Sequence, residues 1–448
     1  MVRFFKLIAL CFLSLFIISC ATKEAPILSY PSQNLQDYLQ DDKVITTATQ
    51  EKLKKDYLEY FFSPWNKKGR DTKKSIEWII SSNQNNYGYG ENNLPNSKEF
   101  IESLLIKANF DDFPSKDIKA IITHSTNLRV LPTHKPRFYN PEKAGEGFPF
   151  DYWQNSAIYL GTPISVRHFT KERDWAYVES GFVSGWVDVR HIAILDKKAR
   201  EAYKKREFIV LKKDNIPLYT KDSHFLENAR IGMLLPIIKE NKNFYTLQIF
   251  QNNQGKAKPI LVDFSKNYSN PFPQKFSTFE VAKLAQNLIG EKYGWGGAFE
   301  NRDCSMFLRD ILGNFGIFLL RNSQAQMYQT NFAQEKNYID LSDSKNKFES
   351  IKNNAIPFIT LLGLKGHIML YIGEKDGKLY ALHDIWGLKT LQNETQEGRE
   401  IIGKIAITSL DIGENHPYIK KDSLLIHRIY GIRNLFLPKD LENVSTQQ

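Results

Sequence analysis

The stretch "YGWGGAFENRDCSMFLRDILGNFG", residues 293–316, holds one of only three cysteines in a chain of 448 residues. Tyr293 to Gly297 reads as a glycine-rich turn, and "AFENRD" after it is polar. From Cys304 the pattern turns helical. Met306, Phe307, Ile311 and Leu312 share a broad apolar face, and Gly313 or Gly316 ends it. Cys304 therefore falls at a helix N-terminus, where unpaired backbone N–H groups and the helix dipole favour an anion. The thiolate is the reactive form of cysteine, and this position is expected to lower the thiol's pKa. A buried structural cysteine is the plain alternative.

The other two cysteines lie at the start of the chain. Arg3 and Lys6 precede an apolar run, Leu7–Ser19, of 13 residues. That falls short of the roughly 20 residues a bilayer span needs, and it fits a secretory signal. The run ends in "IISC", and a small residue before Cys20 resembles a bacterial lipoprotein box. On that reading residues 1–20 are a lipoprotein signal peptide and Cys20 carries lipid. The chain is then anchored at the cell envelope on the periplasmic side. Ala21 stands where an aspartate would suggest inner-membrane retention, which points to the outer membrane. Cys11 leaves with the signal, so Cys304 becomes the one free thiol of the exported protein.

Apolar residues make up 42% and aromatic residues 13% of the chain, as in a globular protein of several domains. The net charge of +10 suits an acidic partner such as a wall polymer or anionic lipid, although spread lysines also fit a solvated surface. Residues 21–39 read as a tether and 40–116 as a helical segment. Within the latter, Asn96 and Glu99 flank the start of "SKEFIESLLIKANF" with capping-box spacing. Short strands punctuated by Gly, Pro, Asp and Asn follow. The close of the first set on "SGWV" is similar to bacterial SH3-like domains and predicts one barrel over 117–197, and similar strand spacing predicts a second over 205–266. "STFEVAKLAQNLIG", with Ser277 and Glu280 as a capping box, opens a last domain over 275–437.

A thiolate nucleophile needs a proton shuttle. Of nine histidines, two lie in one expected hairpin of the last domain. His367 starts "GHIMLYIG", Asp376-Gly377 signals the turn, and His383 lies late in "LYALHDIWG". The midpoint of the two positions falls in the turn, so the two are expected to face each other. One would serve Cys304 as acid and base while the other holds its tautomer. Two structural strand histidines are the alternative.

Tyr293, Trp295, Gly296, Gly297, Asp303, Cys304, Ser305, Arg321, Ser323 and Gln326, with "GHIMLYIG", together resemble the NlpC-type cell-wall peptidases. The resemblance runs from Ser277 to Leu437. It implies an α+β fold: a papain-like catalytic domain preceded by a helical N-terminal segment and two SH3-like β-barrels. It implies hydrolysis of the γ-D-glutamyl–diamino acid bond in peptidoglycan stem peptides, with Cys304 forming a thioester. His367 is then the base and His383 its orienter, and the Tyr293 hydroxyl joins the Cys304 N–H at the oxyanion. Asp303, Ser305 and Ser323 would grip the free amino end of the peptide, with Trp295 beside them on the substrate side. The first-barrel loop "AGEGFPFDYWQNS", residues 144–156, would wall the cleft with Glu146, Asp151 and Tyr152. One departure stands out: Met369 in the histidine strand, preceded by "ITLLGLK" in place of an acidic lead-in.

No cofactor is expected, "DCS" offers too few ligands for a metal, and no nucleic-acid motif is visible. The expected partners are stem peptides and, through the lipid, a membrane; the chain is expected to be a monomer. A catalytically silent peptidoglycan-binding lipoprotein is the competing reading, against which the set Cys304, His367 and His383 argues. An acyltransferase or amidase on a related scaffold is a third, and it would have no use for the amine-binding set.

Overall fold

The computed structural model describes residues 28–329, 337–393 and 395–443. The expected signal peptide and Cys20 lie outside the described residues. No helix among the described residues is long and apolar enough to cross a membrane.

Three long helices lead the chain, α1 (Thr47–Phe61), α2 (Lys73–Gln84) and α3 (Lys98–Ala108), with a single helical turn, Ser63–Asn66, after the first. Thr46 and Thr72 cap the first two, each accepting a backbone N–H three residues on. The cap of α3 is Ser97 and not Asn96. The Ser97 hydroxyl accepts from the Phe100 N–H at 3.1 Å, while the Asn96 amide donates to the Tyr87 carbonyl at 3.0 Å. The expected start was one residue early because Asn96 is spent on the preceding loop.

The first barrel is built from β1 (Ile118–Ile122), β2 (Thr126–Arg129), β3 (Gln154–Ile158), β4 (Pro163–Phe169), β5 (Trp175–Glu179), β6 (Ser184–Asp188) and β7 (Ile192–Ile194). After α4 (Lys197–Lys204) come β8 (Phe208–Leu211), β9 (Ile216–Tyr219), β10 (Phe225–Ala229), β11 (Leu235–Glu240), β12 (Phe244–Asn253) and β13 (Lys256–Ser265). β9 pairs only with β10, as a separate hairpin arm. A single parallel bridge, Lys256 to Ile194, joins the two units into one continuous sheet.

The last domain sets α5 (Thr278–Gln286), α6 (Cys304–Gly313), α7 (Ser323–Tyr328) and α8 (Lys347–Asn354) against an antiparallel sheet. Its main strands are β14 (Thr360–Leu364), β15 (His367–Lys375), β16 (Lys378–Gln392), β17 (Gln396–Ser409) and β18 (Ile429–Asn434), in spatial order β18-β14-β15-β16-β17, with a short sixth strand, Tyr338–Asp340, at the edge beside β18. Alternation along the strands divides two cores. Ile368, Leu370 and Leu382 join Phe307, Leu308 and Ile311 of α6 on one face, and Met369, Ala381 and Ile385 line the other. All ten residues of α6 are buried, so the helix is fixed on every side. Truncating Phe307 to alanine would cost about 3–5 kcal/mol.

Polar contacts lock the barrels onto this domain. The fully buried Arg302 donates to Asp214 at 2.7 Å, to Glu291 at 2.8 Å and to Asp310 at 2.8 Å. The Tyr159 hydroxyl donates to Asp310 at 2.6 Å. Strand β3 lies against the glycine turn. Gly296 and Gly297 have φ of 63° and 77°, and a Cβ at either would strike Gln154 or Ala157 at under 3 Å. Glycine is required there for both backbone conformation and room.

Candidate active site

Cys304 is the first residue of α6, and Asp303 is its N-cap, accepting from the Met306 N–H at 2.9 Å. Its thiol does not have the lowered pKa that the helix start suggests. Burial pushes it far up, and the Asp303 charge adds to this. A hydrogen bond from the Ile368 N–H and the Arg321 charge pull back only in part. The helix terminus supplies a fraction of a charge, and losing hydration outweighs it. Burial, and then the Arg428 charge, bring His367 down to about 3. Burial and the neighbouring His367 lower His383 as well. At neutral pH the resting pair is a thiol and a neutral imidazole, not an ion pair.

His367 Nε2 and His383 Nδ1 are 2.7 Å apart, and His383 Nε2 lies 2.9 Å from Thr408 Oγ1. His367 Nδ1 has no hydrogen-bond partner among the described residues. A hydroxyl donates or accepts, so Thr408 supports either tautomer of His383. The two histidines are not directly opposite. The hairpin pairs Lys375 with Lys378 and Glu374 with Leu379, then shifts at a bulge between Tyr371 and Gly373 to pair Leu370 with Leu382. Continued outward, that register brings His383 level with Met369, two residues from His367. The extra residue also sets the face. Without it His383 would fall level with Leu370, and the two rings would point to opposite sides of the sheet.

Asp303 is occupied. One oxygen accepts from Ser305 Oγ at 3.0 Å, the Met306 N–H at 2.9 Å and Arg321 Nη1 at 3.0 Å. The other accepts from the Gly296 N–H at 3.0 Å and Arg321 Nη2 at 2.7 Å. Burial raises its pKa, but Arg321 more than offsets that and holds it below the usual carboxylate range. Its charge is matched by Arg321, and both of its oxygens already accept hydrogen bonds within the protein. Ser305 is buried in the same network, also taking Arg321 Nη1 at 2.9 Å. Arg321 Nε reaches across to Ser156 Oγ of β3 at 2.7 Å, so the first barrel braces the pair. Ser323 begins α7 half-buried.

The first-barrel loop does reach the cleft. Phe150 and Tyr152 lie 5.2 and 5.7 Å from the Trp295 ring, and Phe150 and Tyr293 both contact Trp386, at 6.0 and 5.9 Å. Asp151 lines a groove beside Phe148 and Gln154. It accepts from Arg129 at 2.7 Å and from the Arg137 and Trp153 N–H groups at 2.9 Å each, which fixes the loop's shape. Glu146 is half-buried, accepts from the Asn140 N–H at 3.2 Å and has no ion-pair partner among the described residues. Its charge, after burial and Tyr139, helps raise the Tyr152 hydroxyl's pKa, so the two are close neighbours. Phe148, 63% exposed, separates grooves of about 450 and 530 Å³ at the mouth. Among the described residues no cluster of His, Cys, Asp and Glu could hold a metal ion.

Sequence reasoning missed Thr408, Trp386, Phe150, Ser156 and the acid Asp384. Only Asp384 carried a local signal, as a charge inside the otherwise apolar "LYALHDIWG" strand.

Four family models match the chain. They are an NLPC_P60 N-terminal stabilising domain at residues 9–113, an SH3 domain (SH3b1 type) at 136–188, an SH3 domain of SH3b2 type at 196–242 and the NlpC/P60 family at 290–394. The structure is similar to that of an NlpC/P60 endopeptidase from Photobacterium damselae subsp. piscicida, at 25% identity and a TM-score of 0.81. That likeness covers 92% of this chain and 98% of the other. An NlpC/P60 family protein from Bacillus cereus ATCC 10987 is 16% identical with a TM-score of 0.48, over 71% of this chain and 100% of the other. No curated protein matches the chain.

Proposed function

Because this chain belongs to the NlpC/P60 family, with a stabilising domain and two SH3 domains ahead of its last domain, we propose that it is a cysteine endopeptidase of the bacterial cell wall. Its bond is the γ-D-glutamyl–diamino acid bond of peptidoglycan stem peptides. The observation that carries this reading is one arrangement: Cys304 at the start of α6 accepts from the N–H of Ile368, the residue after His367, and His367 leads on to His383 and Thr408.

The thiol proton passes to His367 Nδ1 as sulfur attacks the carbonyl carbon. The tetrahedral oxyanion takes the Cys304 N–H and the Tyr293 hydroxyl. Burial, with the nearby charge of Cys304, raises the Tyr293 hydroxyl well above its ordinary pKa, so it is present as a donor. His367 returns its proton to the leaving amine, and a thioester remains. Water, deprotonated by His367, then hydrolyses it. His383 and Thr408 hold the His367 ring throughout. Since the resting dyad is neutral, the charge separation happens only when substrate is in place.

The free amino end of the stem peptide is read from the first barrel. Glu146 has no cation partner among the described residues, and Tyr152 stands beside it. Asp303 and Ser305 set the shape of that end of the cleft, and Ser323 keeps its hydroxyl for the substrate. Trp295 and Trp386 provide apolar walls. The mature chain is anchored by lipid on Cys20 at the periplasmic side of the envelope, in the outer membrane, and works as a monomer.

The test uses protein lacking residues 1–20 with the tripeptide L-Ala-γ-D-Glu-diaminopimelate. Cleavage between glutamate and the diamino acid is expected, and none with Cys304→Ala. An intact tripeptide from a protein that still binds sacculi would replace this reading with a silent wall-binding one. Mass spectrometry of the mature N-terminus tests the lipid.

A further inference from the structure

Asp384 follows His383 on β16. It is 0% exposed, and neither carboxyl oxygen has a hydrogen-bond partner among the described residues. A carboxylate left so is strongly penalised. Asp310, equally buried in the same domain, is held by Arg302 and Tyr159. The mechanism above gives Asp384 no task.

Its place is specific. Alternation puts His383 on the sheet face of Ala381 and Ile385. Asp384 lies on the face of Leu382, which packs against α6 and Cys304. Across the ladder on β17 stands the apolar Ile405. On the β15 side the ladder begins only at Leu370 and Leu382, so the sheet is unpaired beside Asp384. The charged and titratable groups that bear on it are Asp303, Arg302 and Glu291, and its own charge is felt at Cys304 and Tyr293.

We propose that Asp384 is a positioning residue for the thiol chemistry, turning a carboxyl O–H toward Cys304 and Tyr293 as negative charge develops between them. No bond forms and no proton leaves the acid; only the direction of its O–H changes. Burial, and then the Asp303 charge, hold the proton on Asp384 well above the usual carboxylate range, against the pull of Arg302. An acid kept neutral by apolar surroundings can donate to an oxyanion, whereas the same group ionised would oppose charge at Cys304 and at Tyr293.

The inference rests on the cysteine-peptidase reading, so two readouts are needed. One is kcat and KM on the tripeptide. The other is the rate of Cys304 alkylation by iodoacetamide from pH 6 to 10, which needs no substrate. Asp384→Ala removes the donor, and Asp384→Asn keeps the shape and an N–H donor. Alanine is expected to lower kcat and the alkylation rate about tenfold or more at unchanged KM, and asparagine to recover both to within about threefold. Should the alanine variant not fold, Asp384→Leu fills the space without a donor and takes its place. Alanine or leucine variants as fast as the wild type would overturn the proposal. So would an asparagine variant as slow as alanine, or a loss confined to KM. If the wild type leaves the tripeptide intact, the functional reading fails, and alkylation alone still decides the role of Asp384.

Discussion

Arg321→Ala tests whether the start of the catalytic helix depends on a buried charge pair. Arg321 gives two hydrogen bonds to Asp303, at 2.7 and 3.0 Å, and the two residues are 7% and 8% exposed. Removing the guanidinium leaves the carboxylate buried with Ser305 and the N–H groups of Met306 and Gly296. Breaking a buried pair costs about 3–5 kcal/mol, and the three remaining donors place the expected loss near the lower end, about 3 kcal/mol. The pH dependence supplies a sign. In the wild type Arg321 depresses the Asp303 pKa against the effect of burial, so as pH falls the unfolded chain binds that proton first. The stabilisation is full above the unfolded value of about 4 and is lost as pH drops through the folded value. Without Arg321, burial dominates and raises the folded pKa above the unfolded one. Asp303 then contributes stability that grows on acidification. Urea unfolding at pH 7 and 4.5, followed by tryptophan fluorescence, reads both effects. Adding Asp303→Asn to the variant should restore about 2 kcal/mol at pH 7, because the uncompensated charge is gone. A loss under about 1 kcal/mol at pH 7 with the wild-type slope on acidification would refute this account.

Thr408→Val should slow hydrolysis at unchanged KM, by less than the about 10²–10⁴-fold expected for losing His367 as general base, because only the tether on His383 is lost; kcat and KM on the tripeptide check it. Glu146→Gln should raise KM about tenfold for the free-amino tripeptide and leave an N-acetylated peptide unaffected, as one charge-assisted contact to the ammonium is removed. Arg302→Met should cost about 3–5 kcal/mol in thermal or urea unfolding, since Asp214 and Asp310 lose their shared cation. Limited proteolysis of that variant should expose the junction with the second barrel first, because Asp214 belongs to it; cutting that starts in the last domain would contradict the role given to Arg302.

What could be read from the sequence was local. The helix start, the apolar stripe and the glycine turn around Cys304 lie within 24 consecutive residues, and the backbone rules that join them act over a few positions. The hairpin of His367 and His383 was legible for the same reason, through its Asp376-Gly377 turn. Its register was not: one extra residue near Gly373 decides which side-chain pairs meet, and only the packing of both sheet faces selects that bulge. The glycine-rich turn was legible as a turn, but the lack of room for a Cβ comes from contacts distant in sequence, chiefly Gln154 and Ala157 of the first barrel. Asp303 looked like a free acid because its partner, Arg321, stands 18 positions on, with Ser156 of the first barrel behind it. The thiol's pKa was misjudged on the same ground. A helix dipole can be read from neighbours in sequence, but desolvation is set by every chain segment that closes around the sulfur. Residue type and short spacing named the reacting groups of this protein. Their protonation, their facing and which charge remains free for a substrate were decided by contacts that only the folded chain brings together.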